Sequence, residues 1–373
     1  MTPALSLYLD LIRFLAALAV FLTHASSPLF GGTGAGLFEK HGHEAVMVFF
    51  VLSGFVISFV TQTKENHIQS YILNRLARLY SVSFPALFLV LVLDYTGALM
   101  APSLYLNGLS QDSYPVLRIL INALFLNEIW FESIRPFTNA PYWSLGYEFW
   151  YYILFACFTF FSGRQRWLWL GIVVAIAGVK IILLLPVWLI GVWLYRYLST
   201  HTIPEVYGWL MCLLSLVGFG LYHALDLHAW GLAFTSSLFG EKGAHALSWS
   251  NAFLSDWLLG LLVGLHFISI AGIQNRLSGW FSHLYSGPFI KRGIVHFAGM
   301  TFSLYLFHFP LLVFFSAATF QLDSAWRHLL IVFVTFFCVW VLAFLTERKK
   351  FWLKTKMTRL WSVMSGKVKT YDC

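Results

Sequence analysis

The side chains best suited to chemistry begin in the first apolar segment. Arg13 and His24 stand eleven positions apart, and eleven steps of about 100° return a helix to nearly the same face, about 16 Å further along its axis. Asp10, one turn before Arg13, is placed to pair with it. A guanidinium stabilises anions and an imidazole accepts protons near neutral pH, so this stripe suits anion binding and proton transfer. Because charge inside apolar segments often marks a functional path, we favour this interpretation over a register-setting ion pair and a hydrogen-bonded histidine.

Two further polar clusters interrupt later apolar segments. Glu148 closes the aromatic run Tyr142–Glu148, where the helix dipole alone favours a carboxylate but where it could equally orient an imidazole or a sugar hydroxyl. His308 lies in Ser303–Pro310, about 20 Å from the start of its segment and so at a depth similar to that of His24. Both a second catalytic or substrate-orienting role and a packing role stay open for His308.

Basic residues and histidines also stand near segment ends. Arg75 and Arg78 are three apart and share a face if helical, which suits bidentate contacts to phosphates at a membrane surface. Topology anchoring alone would also explain them. The run His41–Glu44 holds two histidines and one carboxylate, too few fixed ligands without another Cys or His at matching spacing. We therefore predict no metal site.

The composition indicates which elements must position these residues. Of the 373 residues, 59% are hydrophobic and 11% charged, and the mean hydropathy is +0.74, which excludes a soluble enzyme, a disordered protein and a nucleic-acid binder. The four cysteines show neither close pairing nor a zinc spacing. The fold class is all-α, a polytopic transmembrane helix bundle over residues 1–350 with a basic cytoplasmic tail at 351–373. The predicted spans are Leu5–Ala25, Ala45–Thr61, Tyr80–Met100, Tyr142–Phe161, Trp167–Val179, Ile181–Leu198, Val206–Leu225, Ala252–Ala271, Ile294–Ala318 and Trp326–Thr346.

Charge placement predicts the orientation of the bundle. With both termini cytoplasmic, 17 of the 24 basic residues fall on the cytoplasmic side, provided that Val116–Ile129 is a re-entrant or surface hairpin rather than an eleventh span. The net charge of +8 is then mainly a topology signal, and no nucleic-acid partner is expected. Two long outer loops follow, Ser26–Glu44 and Asp226–Asn251. The glycine run Gly31–Gly36 is interpreted as a flexible connector, not a phosphate loop.

The order of these motifs resembles a known family. Five matching elements occur in sequence: Arg13 and His24 with ten residues between them, Phe49–Phe55, Arg75 and Arg78 with nearby Tyr80, Trp143-Ser144-Leu145 followed by Glu148, and Ser303, Tyr305, Leu306, His308 and Pro310. Each element alone is weak, but together they resemble the acyltransferase-3 family of integral membrane acyltransferases over about residues 5–350. Members of that family move an acyl group, usually acetyl from acetyl-CoA, onto a hydroxyl of a glycan, a lipid-linked sugar or a small molecule.

The resemblance implies roles for individual residues. His24 would be the general base on the acceptor hydroxyl, oriented by Glu148, and Arg13 would stabilise the thioester oxygen or line the pantetheine path. His308 would be a second catalytic group. Arg75, Arg78 and Tyr80 would bind CoA at the cytoplasmic side, whereas Trp143, Ser144, Ser303 and Tyr305 would contact the acceptor. The implied location is a bacterial inner membrane, with membrane lipids as neighbours.

Two other classes stay open from the sequence. A transporter or flippase for glycans or lipid-linked sugars would also place buried charge along a conduit, but no internal repeat is visible. A scaffold in a polysaccharide assembly complex would have no use for an intramembrane Arg13 and His24. The sequence does not indicate the acceptor, the acyl chain length or the oligomeric state.

Overall fold

The computed structural model describes residues 2–32, 41–106, 110, 113–285, 288–322 and 326–364. Within these residues the chain is all-helical and contains no strand. The α-helices are α1 Pro3–Ala25, α2 Gly42–Lys64, α3 Ile68–Met100, α4 Pro102–Leu106, α5 Pro115–Ala123, α6 Trp143–Phe160, α7 Gly163–Ala177, α8 Val179–Thr200, α9 Glu205–Ala224, α10 Leu227–Ala246, α11 Phe253–Tyr285, α12 Pro288–Ala298, α13 Thr301–Ala318, α14 Arg327–Leu345 and α15 Lys350–Met364.

Eight helical segments are long and apolar enough to cross a membrane. They are α1, α2, α3, α8, α9, the part of α11 from Phe253 to Gly279, α13, and the segment Arg327–Met364 that contains α14 and α15. Apolar stretches of this length form helices because lipid offers no hydrogen-bond partners to the backbone, so each segment must satisfy its own N–H and C=O groups. The protein is therefore an all-helical integral membrane protein.

Three other predicted segments form shorter or less apolar helices. The predicted span Tyr142–Phe161 becomes α6, whose 18 residues include several buried aromatic side chains. The predicted span Trp167–Val179 corresponds to α7, whose 15 residues cover about 23 Å. In Val116–Ile129 only the nine-residue α5 is helical, which covers about 14 Å, half the hydrocarbon thickness.

The centre of the bundle is built on α2 and α13, which are the most buried of the eight apolar segments. Helix α2 packs most extensively on α8, and α13 lies among α1, α3 and α14. Close approach of α2 and α8 depends on glycines, since a Cβ on Gly54 would lie 2.0 Å from the Trp188 carbonyl oxygen and one on Gly191 would lie 1.9 Å from that of Val51. This packing holds α2, which lines the candidate site, against α8.

The segments that connect the predicted spans contain more structure than the sequence indicates. The segment Asp226–Asn251 is largely helical as α10, with a bend at Gly240, whose φ is +69°. Lys180, which stands between the predicted spans Trp167–Val179 and Ile181–Leu198, is fully buried at the start of α8, and its Nζ donates to Glu128 Oε2 at 2.7 Å. Of the loop Ser26–Glu44, residues 33–40 lie outside the described part of the chain, and so does most of the predicted glycine run.

The two ends of the bundle can be told apart by which helices begin and end there. At the His24 end, α1 and α9 end while α2 and α11 begin, and His43 Nε2 lies 3.0 Å from Asp256 Oδ1. At the Glu347 end, α14 ends while α3 and α13 begin, and the Ser303 N–H donates to Glu347 Oε2 at 3.0 Å.

Candidate active site

A narrow cavity of about 60 Å³ lies inside the bundle between α1, α2, α3, α6 and α13. It has room for a few water molecules. Its polar lining consists of Arg13, Ser53, Arg78, Ser144, Glu148, Thr301 and Tyr305. Two guanidiniums, a carboxylate and several hydroxyls thus converge on a small space from five different helices, which is the arrangement expected of a polar binding site rather than of a packing defect.

Glu148 organises one wall of this cavity. Ser53 Oγ donates to Glu148 Oε1 at 2.8 Å, and the Tyr152 hydroxyl donates to the same oxygen. Arg78 Nη2 lies 3.8 Å from Glu148 Oε1, which makes a looser ion pair. Ser53 also accepts from the Trp188 indole at 3.2 Å, so α2, α6 and α8 are joined here. The carboxylate is held by neighbours in the cavity, and among the described residues it has no hydrogen bond to His24, contrary to our expectation.

Arg13 and Arg78 give the cavity two positive groups from different helices. Arg13 Nη1 donates to Asp10 Oδ1 at 3.0 Å, the pairing that the sequence predicts. Arg78 reaches the same cavity from the first turns of α3. Among the described residues, only the carboxylates of Asp10 and Glu148 pair directly with them, so these guanidiniums can still attract a further anion.

His24 and His308 form an imidazole pair between α1 and α13. Their ring centres are 5.3 Å apart, and Phe309 packs edge-on against His24 at 4.9 Å. His308 is fully buried, and its Nδ1 lies 2.8 Å from the Leu304 carbonyl oxygen. Because a carbonyl only accepts, Nδ1 carries the hydrogen and the neutral ring presents a lone pair at Nε2. That Nε2 is buried and has no hydrogen-bond partner among the described residues.

Tyr305 connects the histidine pair to the cavity. It lines the cavity, its ring centre is 6.5 Å from that of His308, and its hydroxyl is 2.7 Å from Ser144 Oγ. His24 itself is not among the residues that line the cavity. The arginine pair (Arg13 and Arg78) and the histidine pair (His24 and His308) therefore occupy neighbouring sites along the bundle. The Tyr305–Ser144 hydrogen bond lies between them.

Comparison with known proteins supplies the family. A family model described as an acyltransferase domain, the acyltransferase-3 model, matches residues 6–345, nearly the whole chain. The chain belongs to the acyltransferase-3 family. It is also 31% identical over 151 residues to the curated protein "Acyltransferase MdmB" of Streptomyces mycarofaciens. That match covers 39% of this chain and spans only 36% of the relative's length. No solved structure matches this chain significantly.

In this acyltransferase-3 protein, four further predicted site residues, besides His24 and His308, do not line the cavity. Arg75 is buried, and its Nη2 donates to Glu65 Oε1 at 2.6 Å, so Arg75 and Arg78 face different partners. The Tyr80 hydroxyl donates to the Ala123 carbonyl at 2.8 Å. Trp143 is buried in a stack on Trp249 at 4.8 Å. Ser303, fully buried, is bound by Glu347.

The structure also shows a basic cavity that the sequence did not reveal. We call it the vestibule; it lies at the Glu347 end, has a volume of about 750 Å³, and is lined by Lys291, Arg292, Val295, His296, Gly299, Glu347, Arg348, Lys350 and Phe351. Four of these side chains are cationic and one is a carboxylate. In the sequence this cavity is indicated only by basic residues that flank the last spans, and membrane topology alone also explains such charges.

The vestibule adjoins the Arg13 cavity. Glu347 lines the vestibule and binds Ser303, two residues from Thr301 of the cavity wall. Within the vestibule, Arg348 Nη2 lies 3.1 Å from His296 Nδ1, and partial burial together with this cation lowers the pKa of His296, which keeps the imidazole neutral at pH 7. The vestibule, the guanidinium pair and the imidazole pair thus follow one another along the bundle.

Proposed function

We propose that the protein transfers an acyl group, acetyl in the first instance, from cytoplasmic acyl-CoA to a hydroxyl of a glycan or lipid-linked sugar on the other side of the membrane. In this proposal the bundle makes ten spans with both termini in the cytoplasm of a bacterium, and the protein lies in the inner membrane. Family membership supports acyl transfer; the donor, the acceptor and the orientation are proposed.

The observation that carries the proposal is the distribution of positive charge. The vestibule offers Lys291, Arg292, Arg348 and Lys350 around a volume suited to a nucleotide, and CoA is a nucleotide with several phosphates. The deeper cavity offers Arg13 and Arg78. A polyanionic head is therefore attracted to the Glu347 end, while its uncharged arm extends into the bundle. The vestibule replaces Arg75 as the phosphate-binding candidate, since Arg75 is already paired with Glu65.

The length of α1 separates the roles of Arg13 and His24. Their eleven residues correspond to about 16 Å of helix, so the two side chains cannot act on the same carbonyl group. If His24 is next to the thioester of acyl-CoA, Arg13 lies beside the pantetheine chain of the donor. We therefore assign Arg13 and Arg78 to donor binding and keep His24 for the chemical step.

The chemical step uses the imidazole pair as base. A ring nitrogen of His24 takes the proton of the acceptor hydroxyl, the oxygen attacks the thioester carbonyl carbon, the C–S bond breaks, and the CoA thiolate takes up a proton. His308 has its Nδ1 hydrogen bonded to Leu304 and a lone pair at Nε2 that no described residue binds, so it can accept a hydrogen bond from His24 and thereby position that ring. The two rings then share protons as one coupled unit.

Tyr305 lies between the proposed donor-binding cavity and the histidine pair. Its hydrogen bond to Ser144 lies between the arginine pair and the histidine pair, so the donor arm has to displace it to reach His24. The hydrogen bonds of Ser53 and Tyr152 to Glu148 hold α2 and α6 in place beside that passage. Ser144 and Tyr305, first predicted as acceptor contacts, are assigned to this passage.

The test is mass spectrometry of cell-surface glycans from a strain that lacks the gene and from the same strain carrying the wild type or His24→Ala. We expect the deletion strain to lose the mass of an acetyl group from one glycan, with recovery by the wild type and not by His24→Ala. Unchanged glycan and lipid-linked sugar masses in the deletion strain would contradict the acceptor class. Loss of the whole glycan, rather than of its acetyl group, would favour a transporter.

A further inference from the structure

A second cluster of ligating side chains lies at the His24 end, outside the candidate active site. His41 stands immediately before α2, Glu44 lies in the first turn of α2, and His223 lies in the last turn of α9. The first two are three residues apart, but His223 is about 180 positions further along the chain. Only the packing of the bundle brings the three together.

The donor atoms of this cluster converge on one point. His41 Nδ1 lies 2.8 Å from Glu44 Oε2, and His223 Nε2 lies 3.6 Å from the same oxygen. One ligand atom from each of the three residues falls within 4.8 Å of the others. The two imidazole rings are 4.9 Å apart and nearly perpendicular, at 85°, so they present their nitrogens rather than stacking their faces. Ligand atoms about 2.0–2.2 Å from one ion lie about 3.4 Å apart, so small side-chain rotations would bring these three atoms onto a single cation.

The chemical types of the donors select the kind of cation. Two imidazole nitrogens and one carboxylate oxygen form a ligand set that zinc uses, whereas Ca²⁺ and Mg²⁺ prefer oxygen ligands alone. The side chains of His41, Glu44 and His223 are 39%, 17% and 43% exposed, so the cluster is open to solvent on one side. Among the described residues the cluster has three ligands, which leave a fourth tetrahedral position for water on the exposed side.

An ordinary ion pair explains this arrangement less well. His41 and Glu44 would form one by themselves, at the spacing of neighbours on a helix. His223, on a different helix, adds a second imidazole to a carboxylate oxygen that already has a partner. A divalent cation bound by all three side chains accounts for this convergence with a single interaction.

We propose that His41, Glu44 and His223 bind a Zn²⁺ ion whose remaining coordination position is open to solvent. The ion joins the end of α9 to the start of α2. Helix α9 is the least buried of the eight apolar segments and packs mainly on α11, so a metal link to α2 adds a restraint that its own packing does not supply. This proposal does not depend on acyl transfer.

The environment of the cluster fits a metal site with supporting groups. On the neighbouring face of α2, His43 binds the fully buried Asp256 at 3.0 Å, and the ring of His228 lies 5.5 Å from that of His43. Burial and the adjacent His43 lower the pKa of His228, so this ring is neutral at pH 7 and adds no positive charge near the ion. His43 and His228 form a separate pair, which the experiment must distinguish from the proposed ligands.

The experiment is a Co²⁺ titration of the purified full-length protein, free of histidine tags and stripped with a chelator. We expect visible absorption of four-coordinate cobalt that saturates at a single ion per chain and disappears when Zn²⁺ is added. Glu44→Gln and His223→Ala should each weaken binding about 100-fold or more, since loss of a ligand costs more than loss of a supporting group. His245→Ala, which removes an exposed histidine from α10, should bind as the wild type does.

Thermal stability gives a second readout that does not rely on colour. Zn²⁺ should raise the Tm of the wild type and of His245→Ala but leave Glu44→Gln unchanged, because only a bound ligand stabilises the folded state. Equal Tm values of the variants without metal establish that they fold. Retention of tight Co²⁺ binding in His223→Ala, loss of binding in His43→Ala alone, or no binding by the wild type would each overturn the proposal.

Discussion

At the scale of single residues, two arginines that are close in sequence make different contacts in the structure. Arg75 and Arg78 lie on the same helix three residues apart, yet Arg75 neutralises the buried Glu65 whereas Arg78 lines the cavity beside Glu148. A buried pair loses much stability when one partner is removed, while a cavity residue mainly loses ligand binding. Substitution of Arg75 is therefore expected to lower stability, and substitution of Arg78 to weaken ligand binding.

We expect Arg75→Met to destabilise the protein by about 3–5 kcal/mol, because Glu65 would remain buried without its partner. Arg78→Met should change the Tm little and should weaken CoA binding by about 10- to 100-fold, the cost of a charged hydrogen bond. Thermal unfolding in detergent, with and without CoA, measures both effects. If Arg78→Met binds CoA as the wild type does, donor binding by the cavity is wrong.

The imidazole pair gives a different expectation. His24→Ala should reduce acyl transfer by about 10²- to 10⁴-fold, the usual contribution of a general base. CoA binding should stay unchanged, because the proposed donor contacts are Arg13 and Arg78 rather than the histidines. His201→Ala, which removes an exposed histidine at the end of α8, is the matched control and should retain full transfer. Full transfer by His24→Ala would exclude it as the base.

At the scale of elements, glycines decide how closely helices approach. Gly54 and Gly191 face the backbone of the partner helix, and an added Cβ would meet a carbonyl oxygen at about 2 Å in either case. Small residues of this kind let backbones approach closely in membrane bundles. Since α2 carries Ser53 and α8 carries Trp188, which are hydrogen-bonded to each other, this interface positions one wall of the cavity.

Substitution of these glycines should therefore affect the whole site. We expect Gly54→Ala and Gly191→Ala to lower the Tm and the yield of folded protein, because backbone atoms cannot move aside as a flexible side chain would. Gly171→Ala in α7 has open space around its Cβ and should be neutral or stabilising by up to about 1 kcal/mol. Comparable losses at Gly171 and Gly54 would show that helix packing is not the cause.

At the scale of the whole molecule, charge separates the two ends of the bundle. The vestibule collects Lys291, Arg292, Arg348 and Lys350 at the Glu347 end, and α15 adds further lysines there. Interactions of solvent-accessible charges are screened by salt, so binding of a polyanion at this place should depend on ionic strength.

The vestibule predicts a salt-dependent affinity for CoA. We expect the Kd to rise with salt concentration in the wild type, and to rise less steeply in Arg348→Ala, which has one cation fewer to screen. The measurement is a CoA titration at several NaCl concentrations, with dephospho-CoA as a ligand of lower charge. A Kd that is independent of salt for both ligands would place the nucleotide elsewhere.

The concentration of positive charge at the Glu347 end also predicts the orientation of the protein in the membrane. If the vestibule is cytoplasmic, the C-terminus is cytoplasmic too, since α14 ends at the Glu347 end. A green fluorescent protein fused to the C-terminus should fluoresce and an alkaline phosphatase fusion should be inactive. The reverse pattern would place the vestibule outside and remove cytoplasmic acyl-CoA as its ligand.

The sequence by itself determined the properties that depend on local periodicity and composition. Apolar runs interrupted by rare charges predicted an all-helical membrane bundle, and the eleven-residue spacing placed Arg13 and His24 on one face of α1. The motif order also indicated the family, which the match over residues 6–345 confirms. These inferences succeed because helix pitch and the cost of unpaired backbone groups in lipid are the same in every protein.

Only the tertiary structure decided which side chains meet across helices. It placed Arg75 on Glu65, Glu148 on Ser53 and Tyr152 rather than on His24, and His223 beside His41. It also gathered cations from α12, from the short turn after α14 and from the start of α15 into one vestibule. Such contacts depend on the rotation and the vertical register of each packed helix, which are set by the fit of many side chains together and which no single segment of the sequence encodes.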